Sequence, residues 1–194
     1  MSTVLDRPAA EAWADADDLR GEWDDVAPDE PPEEPLPVSA LSLAVASDLS
    51  AELTLFARPT GVGKVYTEMV FRLPPPVDRE RRPDVAFVPF TRWPREQPIP
   101  KGRAWQVVPD LCVEVVSPTD KAEEVREKVL QYFAVGVRLV WVIFPGLQVV
   151  DVFASPTAVR VLSRADRLDG GDVLPGFTLP LAELLPAAGQ PGAA

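Results

Sequence analysis

PDLCVEVVSPTDKAEEVREKVLQYFAVGVRLVWVIF, residues 109–144, is the stretch whose reading decides the fold. LCVEVVS near its start is a short apolar run set between Pro109 and Pro118, and it reads as a strand. DKAEEVREKVLQYFAVG follows, with Val125, Val129, Tyr132 and Phe133 as an apolar stripe at helical spacing. Glu123 and Glu124 fall in the first turn of that helix, Thr119 or Asp120 is its N-cap candidate, and Gly136 its C-cap. VRLVWVIF then reads as a strand again, so the stretch predicts a strand–helix–strand crossover within one sheet.

Upstream, PDVAFVPF (83–90) is another strand, opened after Pro83 and closed at Pro89. Residues 89–109 are rich in proline and charge and predict a long loop or lid. VGKVYTEMVFRL (62–73) reads as one strand and PPPVDRERR (74–82) as a turn region. Leu41, Val45, Leu49, Leu53 and Phe56 recur at spacings of three and four. They predict one amphipathic helix of about four turns, ended by Pro59 and Gly61.

Downstream, LQVVDVFA (147–154) pairs with VRLVWVIF across a tight Pro145-Gly146 turn, and VRVLSR (159–164) adds a strand. The tail DVLPGFTLPLAELL (172–185) predicts a short edge element and a final helical turn. The order of elements points to an α/β chain, a mixed β-sheet with flanking helices.

Composition narrows the function classes. The 194 residues, 46% of them hydrophobic, suffice for one good core but hardly for two full domains. The expected division is an acidic, proline-rich arm over residues 1–39 and one globular domain over residues 40–194. No secretory leader is recognisable and no apolar run approaches a membrane span, so the expected location is the cytoplasm. A single cysteine, Cys112, excludes an intrachain disulfide and a thiolate cluster. The lack of histidine excludes His-based triads, HExxH zinc sites and imidazole general bases.

The net charge of −11 is unevenly distributed. Residues 1–39 carry twelve acidic and two basic residues, leaving −1 for the rest. Residues 79–103 hold seven basic residues against Glu80, Asp84 and Glu96, a local surplus suited to phosphate contacts. Six of the seven, Arg81, Arg82, Arg92, Arg95, Lys101 and Arg103, are the candidates to grip phosphate, with no base-reading motif in their spacing.

Asp84 and Glu114 each sit within a strand-like run, and Lys128 follows on the helix. Two carboxylates on neighbouring strands can hold Mg2+, or Mn2+, with the Val115 backbone carbonyl as a neutral ligand. Lys128 would then orient or deprotonate a water for attack on a phosphodiester. The plainer alternative makes these residues strand-end charges. A carboxylate at Glu114, inside Leu-Cys-Val-Glu-Val-Val, would be costly if buried alone, although strand alternation could place it on a solvated face. Asp110 reads as a turn residue. Tyr132 packs the helix on the sheet or turns its hydroxyl to the cleft, Trp141 belongs to the core, and Trp93 and Trp105 in the loop either cap the core, the first reading, or stack on bases.

PDVAFV, PDLCVEVVSPTD, REKVLQYFAVGVRLVWVI and LPGFTL with LAELL resemble the Uma2 family of restriction-endonuclease-like proteins, a branch of the PD-(D/E)XK nucleases. The resemblance runs from about Leu41 to Leu185. It implies a restriction-endonuclease-like core, a homodimer, and metal-dependent DNA endonuclease activity. Asp84 and Glu114 would be its metal-binding acids and Lys128 its lysine. Val116 stands where the superfamily more often has that lysine, and Lys121 is the other candidate. The family's N-terminal glutamate has only Glu22 and Glu52 as weak substitutes. No modification partner is visible. Two other classes remain open: an inactive nuclease-fold module that binds nucleic acid or protein, and a structural dimer.

Overall fold

A computed structural model describes residues 39–185, so the expected arm lies, apart from Ser39, outside the described residues. Helix α1 spans Ala40–Thr60. Ser39 caps it by accepting the Ser42 N–H on its hydroxyl. Val45, Leu49, Leu53 and Ala57, spaced by four, form its buried stripe. The helix is longer than its sequence spacing predicts. Pro59 is accommodated inside the last turn, where the Thr60 hydroxyl donates to the Phe56 and Ala57 carbonyls, and Gly61 ends the helix at φ 65°. By length and hydropathy α1 could cross a membrane, but its stripe is packed into the core beneath the sheet.

The run expected as one strand over residues 62–73 is two. Strand β1 (Gly63–Thr67) ends at Glu68, whose φ of 53° breaks the extended chain, and β2 (Phe71–Leu73) forms a small hairpin with β3 (Arg79–Arg81). Strands β4 (Val85–Pro89) and β5 (Leu111–Val115) follow, then helix α2 (Ala122–Ala134) and β6 (Leu139–Phe144). The expected Pro145-Gly146 turn is a 3-10 turn over Pro145–Leu147 leading into β7 (Val149–Phe153) and β8 (Val159–Ser163). Strand β9 (Arg167–Gly170), which the sequence does not announce, pairs with β10 (Leu174–Pro180), and α3 (Leu181–Leu184) closes the described chain.

The main sheet has the order β1-β4-β5-β6-β7-β8. Only β5 and β6 run parallel, joined by α2 as the crossover; every other neighbouring pair is antiparallel. Alternation divides the side chains between two cores. Phe87, Val113, Trp141 and Ile143 face the α1 side, whereas Ala86, Cys112, Val140 and Val142 face the side packed by Val129 and Tyr132 of α2. Both faces of β5 are therefore covered, and Glu114 lies in the second core rather than on a solvated face: the residue is 4% exposed.

The N-cap of α2 is Lys121, without a side-chain bond, and neither Thr119 nor Asp120 takes that role. Asp120 instead accepts the Ser117 N–H on Oδ2 at 2.7 Å, holding the turn after β5. Asp110 is more than a turn residue. Its buried carboxylate pairs with Arg92 and Arg138, and its carbonyl accepts the Arg138 and Leu139 N–H groups, tying the long loop to the start of β6.

Candidate functional site

The β4–β5 register pairs Val85 with Val113, so one step further Asp84 comes beside Glu114 on the α2 side. Lys128 and Tyr132 lie four residues apart on α2, which stacks them on one helical face above Glu114. Lys128 Nζ donates to Glu114 Oε2 at 2.7 Å, and the Tyr132 hydroxyl donates to Oε1 at 2.6 Å. Asp84 Oδ2 accepts the Val115 N–H at 2.5 Å. The residues singled out from the sequence therefore do meet at one cleft of about 220 Å³.

Two further acids border that cleft. Glu68, at the turn after β1, pairs with Arg82 at 3.1 Å, and Asp120 holds Ser117. Glu68 carries no sequence signal of its own, and Asp120 reads from the sequence only as a helix-cap candidate. Glu68 arrives because its N–H bonds the Asp84 carbonyl, a contact made by folding β1 against β4. Glu52 is exposed on α1, Lys121 pairs with Glu124, and Glu22 lies outside the described residues.

Burial governs the electrostatics. Desolvation pushes the Asp84 carboxyl up to about 7; the Val115 N–H and Lys128 oppose the rise, while Glu114 and Glu68 add to it. Glu114 is raised by desolvation as well, against the opposing pull of Lys128 and the Tyr132 hydroxyl. Burial and the Glu114 charge hold the Tyr132 phenol well above its ordinary value, so it remains a donor. In this cleft one carboxyl can share a proton near neutrality while the other is held by an ammonium and a phenol.

A divalent cation does not fit this donor set. Both Glu114 oxygens are engaged by protein donors, one Asp84 oxygen is taken by a backbone N–H, and Val115 meets Asp84 through its N–H. Among the described residues no group of three or more acidic, cysteine or histidine side chains could hold a metal ion. The expectation of Mg2+ or Mn2+ on Asp84, Glu114 and the Val115 carbonyl is thereby overturned. Four acids approach the cleft, and each already accepts from a donor of the chain itself.

The basic residues of the loop also differ from expectation. Arg81, Arg82, Arg92 and Arg103 are held in ion pairs with Glu127, Glu68, Asp110 and Glu80. Arg95 instead lies over the Phe90 ring, 4.8 Å from its centroid. Trp105, 2% exposed, caps the core as its sequence setting predicts, and Trp93 meets it edge-on at 5.1 Å.

Comparison with known proteins agrees with this architecture. A crystal structure at 1.96 Å of a "putative nuclease belonging to DUF820" from Anabaena variabilis ATCC 29413 superposes with a TM-score of 0.68 at 20% identity. The match covers 78% of this chain and 83% of that one, and shows a shared fold. No curated protein matches the chain. The model of the Uma2 family, described as "Putative restriction endonuclease", matches residues 28–182. With that match over most of its length and a mixed sheet flanked by helices, the chain belongs to the Uma2 family and has its nuclease-type fold.

Proposed function

We propose that the chain is a nuclease-fold protein that binds nucleic acid without cutting it. The observation that carries this reading is the closure of Glu114 by the protein's own donors, Lys128 and Tyr132. Hydrolysis of a phosphodiester needs an activated water and positive charge placed against the developing phosphorane. Lys128 is engaged by Glu114 and is not available for either task. Around it Glu68, Asp84, Glu114 and Asp120 outnumber Arg82 and Lys128, so the cleft disfavours a phosphate unless protons or cations offset the acids. Membership of a family described as "Putative restriction endonuclease" supports nucleic acid as the ligand class.

Fluorescence anisotropy of the full chain with labelled single- and double-stranded DNA tests this reading. The same mixtures, incubated in Mg2+ and Mn2+ buffers, are then run on denaturing gels. The expected result is salt-sensitive binding with intact strands. Strand cleavage that disappears in Glu114→Ala would overturn it.

A further inference from the structure

A second cavity, of about 420 Å³, lies beside the edge strand β1, between the end of α1 and the proline-rich loop. That volume lies within the range of small-molecule sites, roughly 300–1,000 Å³. Arg58, Lys64 and Arg95 line it, and no acidic residue does. Among the described residues none of the three forms an ion pair, in contrast with Arg82 and Lys128 of the acidic cleft. Aromatic side chains fill the spaces between the cations. Lys64 Nζ stands 5.4 Å from the Tyr66 ring centroid, and Arg95 sits over Phe90.

Trp93 is the ring best prepared for a partner. It is half-buried, its indole N–H donates to the Gln97 carbonyl at 3.0 Å, and Trp105 braces it edge-on with planes at 88°. A ring fixed in this way loses little freedom when a second planar group stacks on it. Trp105 lines the same cavity, and its buried indole N–H has no acceptor among the described residues.

Fixed aromatic rings interleaved with unpaired cations match a ligand that alternates flat bases with phosphates. Paired bases in a duplex hide their faces, so the match is to an unpaired strand. We infer that this cavity, rather than the acidic cleft, binds single-stranded nucleic acid, with a base stacked on Trp93 and flanking phosphates on Arg58, Lys64 and Arg95. The inference rests on the proposed nucleic-acid binding and gives it a location.

The test uses the full chain, a labelled oligo(dT) and an abasic oligonucleotide of equal length. Wild-type protein binds oligo(dT), and the abasic strand at least about tenfold more weakly, because stacking is a substantial part of the affinity. Trp93→Ala weakens oligo(dT) binding by about tenfold, and Arg95→Glu, an exposed change that leaves the fold intact, weakens it and lowers its salt dependence. If wild-type protein binds neither single-stranded nor duplex DNA, the proposed function fails together with this site. If it binds DNA but Arg95→Glu and Trp93→Ala bind oligo(dT) as wild type does, only the site is wrong. Equal affinity for the abasic strand would likewise overturn the stacking role, as would displacement by polyglutamate as effective as by unlabelled oligo(dT).

Discussion

The acidic cleft and the cavity beside β1 divide the chemistry of the molecule in opposite ways. In the acidic cleft every carboxylate has a partner from the chain itself: Glu68 with Arg82, Asp84 with the Val115 N–H, Glu114 with Lys128 and Tyr132, and Asp120 with the Ser117 N–H. In the second cavity Arg58, Lys64 and Arg95 are met by rings or solvent and by no acid among the described residues. A site whose groups satisfy one another contributes to the fold, and a site that leaves charge uncompensated is suited to a ligand. The residues that resemble a nuclease centre fall on the first side of that division.

Substitution at Lys128 gives the largest effect that could break the comparison. Lys128→Met leaves Glu114 buried without its cation and should destabilise the fold by about 3 kcal/mol at pH 8, read by urea denaturation. The loss should shrink as the pH falls, because burial raises the Glu114 carboxyl and favours its protonated form, and Glu114→Gln in the same background should recover much of it. No change in stability would mean that the pair is not the internal closure described.

Tyr132→Phe comes next. It removes a buried donor to a carboxylate while keeping the ring, and should cost about 2 kcal/mol in the same assay. A variant as stable as the parent would show that the phenol contributes packing alone.

Asp84 should act with the opposite sign. Its folded value of about 7 stands above its ordinary 3.8, so between those values the folded state holds a proton that the unfolded state has released. Stability from this group should therefore fall as the pH rises through that window, with the full penalty present above about 7. Asp84→Asn keeps an acceptor for the Val115 N–H and removes the charge. It should raise stability at pH 8 by about 1 kcal/mol, make no difference below pH 4, and flatten the slope between. Denaturation midpoints across this range that track the wild type would contradict the buried carboxyl.

Exposed cations should matter least to stability. Arg95→Glu and Lys64→Glu should change unfolding free energy by less than about 0.5 kcal/mol while weakening binding of oligo(dT). A large loss of stability in either would move the second cavity into the same structural class as the first.

The sequence makes part of this division legible. The apolar runs PDVAFV and LCVEVV and the helical spacing around Lys128 and Tyr132 are enough to predict a mixed sheet crossed by α2, whereas the grouping of Asp84, Glu114 and Lys128 leans on the resemblance to the Uma2 family. What the acids do there is not legible, because a sequence displays carboxylates without displaying which donors fill them. Lys128 and Tyr132 were each visible, but their joint hold on Glu114 depends on how α2 lies on the sheet. The break at Glu68 was hidden because VGKVYTEMVFRL carries no glycine or proline at the point where φ turns positive. The second cavity was hidden for another reason. Arg58, Lys64 and Trp93 come from a helix end, an edge strand and a loop, and only the β1–β4 pairing draws them together.

Calorimetric titration of the wild-type chain with Mg2+ and with Mn2+ at pH 8 tests the central claim most directly, because a cation would have to displace Lys128 and Tyr132 from Glu114. The account predicts no saturable binding to the Asp84–Glu114 pair. A one-to-one isotherm that vanishes in both Asp84→Ala and Glu114→Ala would contradict it.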